Sequence, residues 1–80
     1  MPFAIIQSGH AIIGVGETED ETYAMAREFG DIPEDVPTSA RSEGDVFIVG
    51  ATPRLVQAVI ENGGLIDYDV QNGVADIAED

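Results

Sequence analysis

One pattern occurs twice in this sequence and limits the folds that the chain can adopt. It consists of an apolar strand, a glycine, a threonine cap, a helix and a closing glycine. The first copy leads from Val15-Gly16-Glu17-Thr18 to Gly30, and the second, thirty-four positions later, from Val49-Gly50-Ala51-Thr52 to Gly64. Threonine is favoured at helix N-caps, and glycine is favoured just after the last turn of a helix. Each copy therefore predicts a strand that leads directly into a helix.

The N-terminal segment predicts a β-hairpin. Phe3–Gln7 and His10–Val15 are apolar and rich in β-branched residues, and Ser8-Gly9 separates them. A two-residue turn at Ser8-Gly9 would place Ile5 opposite Ile12. Both faces of this hairpin would then be apolar, which is typical of strands that are covered on both sides.

The C-terminal segment predicts a second hairpin. Asn72-Gly73, the strongest short-range signal for a two-residue turn, lies between Leu65–Gln71 and Val74–Glu79. Alternation along the two strands puts one side in the core and gives the other side to three aspartates, with the last two directly opposite each other: Asp67, Asp69 and Asp76.

Two helices are predicted from their caps and their apolar periodicity. Thr18 and Glu21 fit a capping box at the start of a helix over 19–29, and Thr52-Pro53 fits the start of a second helix. Their predicted inner residues are Thr22, Met25, Ala26 and Phe29 in the first helix, and Leu55, Val56, Val59 and Ile60 in the second.

Together with a strand at Val46–Val49, these elements predict an α+β fold in the order β-β-α-β-α-β-β. We expect one domain over residues 1–80, built as a two-layer sandwich with a mixed sheet. Right-handed crossovers would put both helices on one face of that sheet. Residues 30–44, which contain Pro33 and Pro37, predict a long loop without regular structure.

A sheet covered on one face only would leave apolar side chains in water, so this arrangement predicts a homodimer. The residues expected in its interface are Ile5, Ile12, Ile13 and Phe47.

The charge of the chain restricts its partners. Sixteen Asp and Glu stand against three Arg, one His and no Lys, which gives a formal net charge of −13. Such a field repels phosphate backbones and anionic lipids, so neither direct nucleic-acid binding nor membrane binding is expected. No run approaches the length of a membrane helix and there is no cysteine, so we expect a cytoplasmic protein.

Motifs that carry chemistry are incomplete. Gly14-Val15-Gly16 lacks the third glycine of a dinucleotide site and the lysine of a phosphate loop, and its two glycines are better explained by close packing or a bend. Asp67–Ala78 does not match a calcium loop, because position 12 is alanine. His10 fits a solvent-facing turn residue. We therefore expect no enzyme activity, no cofactor and no metal.

The leading hypothesis is a small acidic inhibitor or regulator that occupies a basic surface on a larger protein, such as a nucleic-acid-binding protein. Its size, acidity and missing chemistry make it comparable with nucleic-acid mimics of the anti-CRISPR or antirestriction kind, without a shared motif. The residues expected to contact the partner are Asp67, Asp69, Asp76, Asp31, Glu34 and Asp35. The alternatives are a structural or regulatory homodimer whose acidity serves solubility, including in high salt, and a metal-dependent ligand binder or enzyme that uses the aspartates.

Overall fold

The structure of the protein is a computed structural model that describes residues 1–78. It contains five strands and two helices in the predicted order. The elements are β1 (Phe3–Gln7), β2 (Ile12–Gly16), α1 (Glu19–Phe29), β3 (Val46–Ala51), α2 (Pro53–Asn62), β4 (Tyr68–Gln71) and β5 (Val74–Ile77).

The five strands form one mixed sheet in the order β2-β1-β3-β5-β4. Strand β1 runs antiparallel to both of its neighbours, β2 and β3. Strand β3 pairs in parallel with β5, and β4 closes the sheet as an antiparallel edge strand. The predicted α+β class, element order and mixed sheet are confirmed.

The two helices pack against opposite faces of the sheet, so the prediction that they share one face is wrong. Residues directly opposite each other on neighbouring strands point to the same face. Ala4, which pairs with Val15 and Val49, belongs to a buried cluster with α2, and we call this side the first face. Ile5, which pairs with Gly14 and Ile48, belongs to a cluster with α1, on the second face. The fold therefore has three layers instead of two.

The connections of the sheet explain this arrangement. Helix α1 joins β2 to β3, which are parallel to each other, so the handedness rule for crossovers applies to α1. Helix α2 leads into β4, which runs antiparallel to β3, so the rule does not constrain α2. The chain that follows α2 reaches the opposite edge of the sheet, where the Ile12 amide donates to the Gly64 carbonyl at 3.0 Å. Helix α2 therefore crosses the first face.

The register of the N-terminal hairpin differs from the predicted one. Ile5 lies opposite Gly14 instead of Ile12, and Ile6 lies opposite Ile12. The extra residue, Ile13, forms a bulge, and the Gln7 amide donates to the Ala11 carbonyl across a turn longer than two residues.

Both predicted caps are present, whereas the outer ends of the predicted apolar stripes are exposed. The Glu21 amide donates to the Thr18 hydroxyl at 3.1 Å, and the Leu55 amide donates to the Thr52 hydroxyl at 3.3 Å. Phe29 and Ile60, both predicted to face inward, are 66% and 64% exposed.

The loop between α1 and β3 covers part of the second face. Val36 is buried, and its amide donates to the Tyr23 hydroxyl of α1 at 3.0 Å. The Ile48 amide donates to the Pro37 carbonyl at 2.8 Å, which ties the loop to the part of β3 that β5 does not reach. The predicted long loop is therefore a fixed part of the α1 layer.

Two of the residues assigned to a dimer interface are inaccessible in the folded chain. Ile5 and Ile12 are 0% and 2% exposed, and Ile13 and Phe47 are partly buried against the two core clusters. The argument for a dimer assumed an uncovered sheet face, and each face carries a helix. Ile5 and Ile12 cannot contact a second copy without unfolding, and the oligomeric state itself stays a prediction.

Candidate partner-binding surface

The C-terminal hairpin has the predicted register. Asn72 and Gly73 have φ angles of 54° and 74°, the positive values that a type I′ turn requires. Asp69 lies directly opposite Asp76, as expected. Asp67 and Asp69 are exposed, whereas Asp76 is half-buried.

Asp76 is held by contacts within the chain, and its assignment to partner binding stays a prediction. Its carboxylate accepts from Nε and Nη2 of Arg54 at 2.7 and 2.9 Å, and from the Thr52 hydroxyl at 2.6 Å. Its own Oδ1 also accepts from the Ile77 amide at 2.8 Å. The predicted repulsion between Asp69 and Asp76 is therefore relieved by an arginine from α2. Asp76 connects the start of this helix to the sheet.

This contact predicts a specific pH dependence. The hydrogen bonds from Arg54 and Thr52 hold the pKa of Asp76 well below its ordinary value, so near pH 4 the folded state binds fewer protons than the unfolded state. The stability contributed by this carboxylate is present above about pH 4 and is lost as the pH falls towards the folded pKa. We expect Asp76→Asn to lower the free energy of unfolding at pH 7, with a parent–variant difference that shrinks below pH 4.

Urea unfolding at pH 7, 4 and 3 measures this difference. Asp69→Asn is the matched control, because Asp69 is exposed on the same face and makes no hydrogen bond or ion pair within residues 1–78. It should leave stability unchanged or raise it slightly. A parent–variant difference for Asp76→Asn that stays constant across the three pH values would contradict this role of the carboxylate.

Most of the negative charge lies in one layer of the molecule. Residues 17–45, which form α1 and the connections on either side of it, contain ten of the sixteen carboxylates and two of the three arginines. Residues 52–67, which form the α2 layer, contain only Arg54, Glu61 and Asp67 as charged residues. The charge is therefore concentrated on the side of the sheet that α1 covers.

Eight carboxylates of the α1 layer are exposed and make no hydrogen bond or ion pair with residues 1–78. We call them the acidic surface: Glu17, Glu19, Asp20, Glu28, Asp31, Glu34, Asp35 and Glu43. It includes Asp31, Glu34 and Asp35, three of the predicted partner-binding residues. Asp67 and Asp69 lie outside it.

The loop that carries part of the acidic surface is fixed by local contacts. The Asp45 carboxylate accepts from the amides of Arg41 and Ser42 at 3.1 and 3.0 Å, and these bonds lower the pKa of Asp45. On α1, the guanidinium of Arg27 lies 5.3 Å from the centre of the Tyr23 ring. The acidic side chains therefore project from a backbone that is held in place.

An open groove lies at the C-terminal end of α1. Its volume is about 310 Å³, and three neighbouring strands contribute Gln7, Ile13 and Val46 to its lining. The end of α1 and the start of the loop contribute Phe29, Gly30, Asp31 and Ile32. The groove is thus mainly apolar, and Asp31 of the acidic surface is the charged residue in its lining among residues 1–78.

The structure also shows the surroundings of the glycines and the histidine that the sequence analysis considered for chemistry. A Cβ atom at Gly14 or Gly16 would meet backbone atoms of α1 at less than 3 Å, so these glycines serve the close packing proposed from the sequence. His10 is exposed next to the turn.

Within residues 1–78 no group of three or more carboxylate or histidine side chains is arranged to hold a metal ion. Over the same residues, no helix is long and apolar enough to cross a membrane.

Comparison with known proteins gives no relative: no family model, no curated protein and no solved structure matches this chain.

Proposed function

We propose that this protein is a small acidic inhibitor or regulator that binds a basic surface of a larger protein through the layer formed by α1 and its loop. The observation that carries the proposal is the acidic surface itself: eight exposed carboxylates of α1 and its connections have no partner within residues 1–78. The proposed setting is the cytoplasm.

The distribution of charge favours recognition over solubility. Acidity that only keeps a protein soluble works equally well on any side of the molecule, whereas here the α2 layer is almost neutral. Keeping like charges close together on one layer costs stability through mutual repulsion. A basic partner would turn this cost into attraction and into a faster, salt-sensitive association.

The density of the charge supports the finer proposal of nucleic-acid mimicry. Ten carboxylates and two arginines lie in the α1 layer, a net charge of −8 in a molecule whose longest dimension is 32 Å, which corresponds to about one net charge per 4 Å. A single nucleic-acid strand in a duplex carries one phosphate per ~3.4 Å. A protein that binds such a strand would therefore meet a similar charge density on this surface. This supports the comparison with the anti-CRISPR or antirestriction kind of inhibitor.

Two variants with the same net charge test the proposal. Asp31→Asn/Glu34→Gln/Asp35→Asn removes three charges from the acidic surface. Glu61→Gln/Asp67→Asn/Asp69→Asn removes three exposed charges elsewhere. We expect affinity capture from the native host, at low and at physiological salt, to retain the same basic protein with the parent and with the second variant. The first variant should lose most of it.

The outcomes separate the hypotheses. Equal loss with both variants would show that net charge matters and its position does not, as expected for acidity that serves solubility. Loss with the second variant alone would move recognition to Asp67 and Asp69. For the finer proposal, the captured protein should bind duplex DNA or RNA less well when this protein is added, and an undiminished affinity for both would reject mimicry.

A further inference from the structure

The groove at the end of α1 has the chemistry of a site for one long cationic side chain. Its floor and walls are mainly apolar, and Phe29, 66% exposed, presents an aromatic ring beside it. Aromatic side chains, including phenylalanine, are enriched in the cores of protein interfaces relative to the rest of the surface. Phe29 is also the last residue of α1, so its ring lies where the helix meets the acidic loop.

The charged lining of the groove favours a cation, and the basic residue in the last turn of α1, Arg27, lies over the Tyr23 ring. Asp31 lines it, and the carbonyl groups at the C-terminal end of α1 add the partial negative charge of the helix dipole. Glu28, in the last turn of the helix, is exposed and has no partner within residues 1–78. A second copy of this chain would bring another negatively charged surface to the groove. Repulsion between the two copies disfavours a second copy as the occupant.

We propose that this groove receives an arginine side chain from the basic surface of the partner, with the guanidinium against Phe29 and close to Asp31. This inference rests on the proposed function and names the anchor of the interface. A guanidinium is less strongly hydrated than an ammonium group and stacks on aromatic faces, which favours arginine over lysine. The same pairing already occurs inside this chain, where Arg27 lies over Tyr23 at 5.3 Å.

The size of the groove agrees with this occupant. The groove is open to solvent and has a volume of about 310 Å³. That space accommodates the aliphatic part of an arginine side chain against Ile13, Ile32 and Val46, and leaves its charged end at the acidic rim. The rest of the partner protein stays outside the groove.

NMR titration of the protein with acetyl-arginine methylamide tests the groove without the partner. The matched probe is the citrulline analogue, which has nearly the same shape and no charge. At ~0.15 M salt, where long-range attraction is screened, we expect the arginine probe to shift the amide signals of Ile13, Gly30 and Ile32 more than those elsewhere. The citrulline probe should produce much smaller shifts.

Variants identify the contacts. Phe29→Ala is expected to weaken binding of the arginine probe about tenfold, and Asp31→Asn should weaken it less. The controls are Leu65→Ala, an apolar residue that is 86% exposed and does not line the groove, and Asp67→Asn, an exposed carboxylate outside the acidic surface. Both should bind like the parent. Shifts spread over the acidic surface, or an unchanged affinity of Phe29→Ala, would overturn the arginine site.

The two proposals fail in different ways. If capture of a basic protein depends on the acidic surface but the arginine probe does not bind in the groove, the proposed function is retained and the proposed arginine site is wrong. If the probe enters the groove but no basic protein is captured by the parent, the proposed function is wrong, and the inference about an interface anchor falls with it.

Discussion

Gly14→Val is expected to prevent this chain from folding stably. A Cβ atom at Gly14 would lie 2.6 Å from the Thr22 carbonyl oxygen and 2.9 Å from the Ala26 amide nitrogen. Both atoms belong to the backbone of α1, which cannot move away locally as the end of a flexible side chain could. A domain of this size has a stability of roughly 4–12 kcal/mol, and overpacking costs about 1–3 kcal/mol or more even where side chains can adjust.

Glycine-to-alanine substitutions make the comparison quantitative. Gly14→Ala adds one methyl group and should lower the free energy of unfolding by about 3 kcal/mol. Gly30→Ala is the control, because Gly30 has an extended φ of 168° and no heavy atom near the position of a Cβ. It should be neutral or slightly stabilising. Urea unfolding followed by circular dichroism measures both, and similar stabilities of the two variants would disprove the close contact between α1 and β2.

The sequence predicted those parts of the fold that depend on neighbouring residues. The bounds of α1 follow from the Thr18 cap and the stop at Gly30, and the predicted helix over 19–29 is confirmed. The register of the C-terminal hairpin follows from Asn72-Gly73, because a type I′ turn determines which residues lie opposite each other. In each case the deciding interaction spans only a few residues, so no knowledge of the tertiary structure was needed.

The errors arose where distant segments decide. The side of the sheet that α2 covers depends on the direction of β4, which its own residues do not reveal. Ile60 and Phe29 continue the apolar periodicity of their helices, but each lies near the C-terminal end of its helix, beyond the buried stripe. The bulge at Ile13 has a similar origin, because both faces of β2 are apolar and two registers satisfy the pattern equally well.

The candidate site was predicted in part. Asp31, Glu34 and Asp35 were identified by their charge alone, and the structure places them on the acidic surface with Glu19 and Asp20. The carboxylates near the start of α1 were explained in the sequence by the helix dipole, which hid their proximity to the loop. Nothing local to these residues reveals that α1 and the loop form one layer.

The internal ion pair of Asp76 was missed because its partner is twenty-two positions away in sequence. Arg54 is one of only three basic residues in the chain, and its position at the start of α2 was a usable signal. Phe29 was missed as a candidate binding residue because its periodicity predicted burial. Only the geometry at the end of α1 distinguishes an exposed aromatic ring beside a groove from a core residue.

Leu55→Ala is expected to lower the free energy of unfolding by about 3 kcal/mol, the middle of the range for a buried leucine. Leu55 is 0% exposed and packs in the first-face cluster with Ile6 and Val59. The truncation would leave a cavity between α2 and the sheet. Helix α1 lies on the other face and cannot move to fill it. Ile60→Ala on the same helix is the control. Because Ile60 is 64% exposed, its truncation should change stability by no more than ~0.5 kcal/mol.

This pair of variants also tests which side of α2 is buried. If Ile60 belonged to the inner stripe, as the periodicity predicts, the two truncations would cost similar amounts. The expected difference of about 2–3 kcal/mol is measured by urea unfolding of the two variants under identical conditions. Neither substitution touches the acidic surface, so at a temperature where both variants are folded they should capture the same partner as the parent. A folded Leu55→Ala variant that loses the partner would show that recognition extends to the α2 layer.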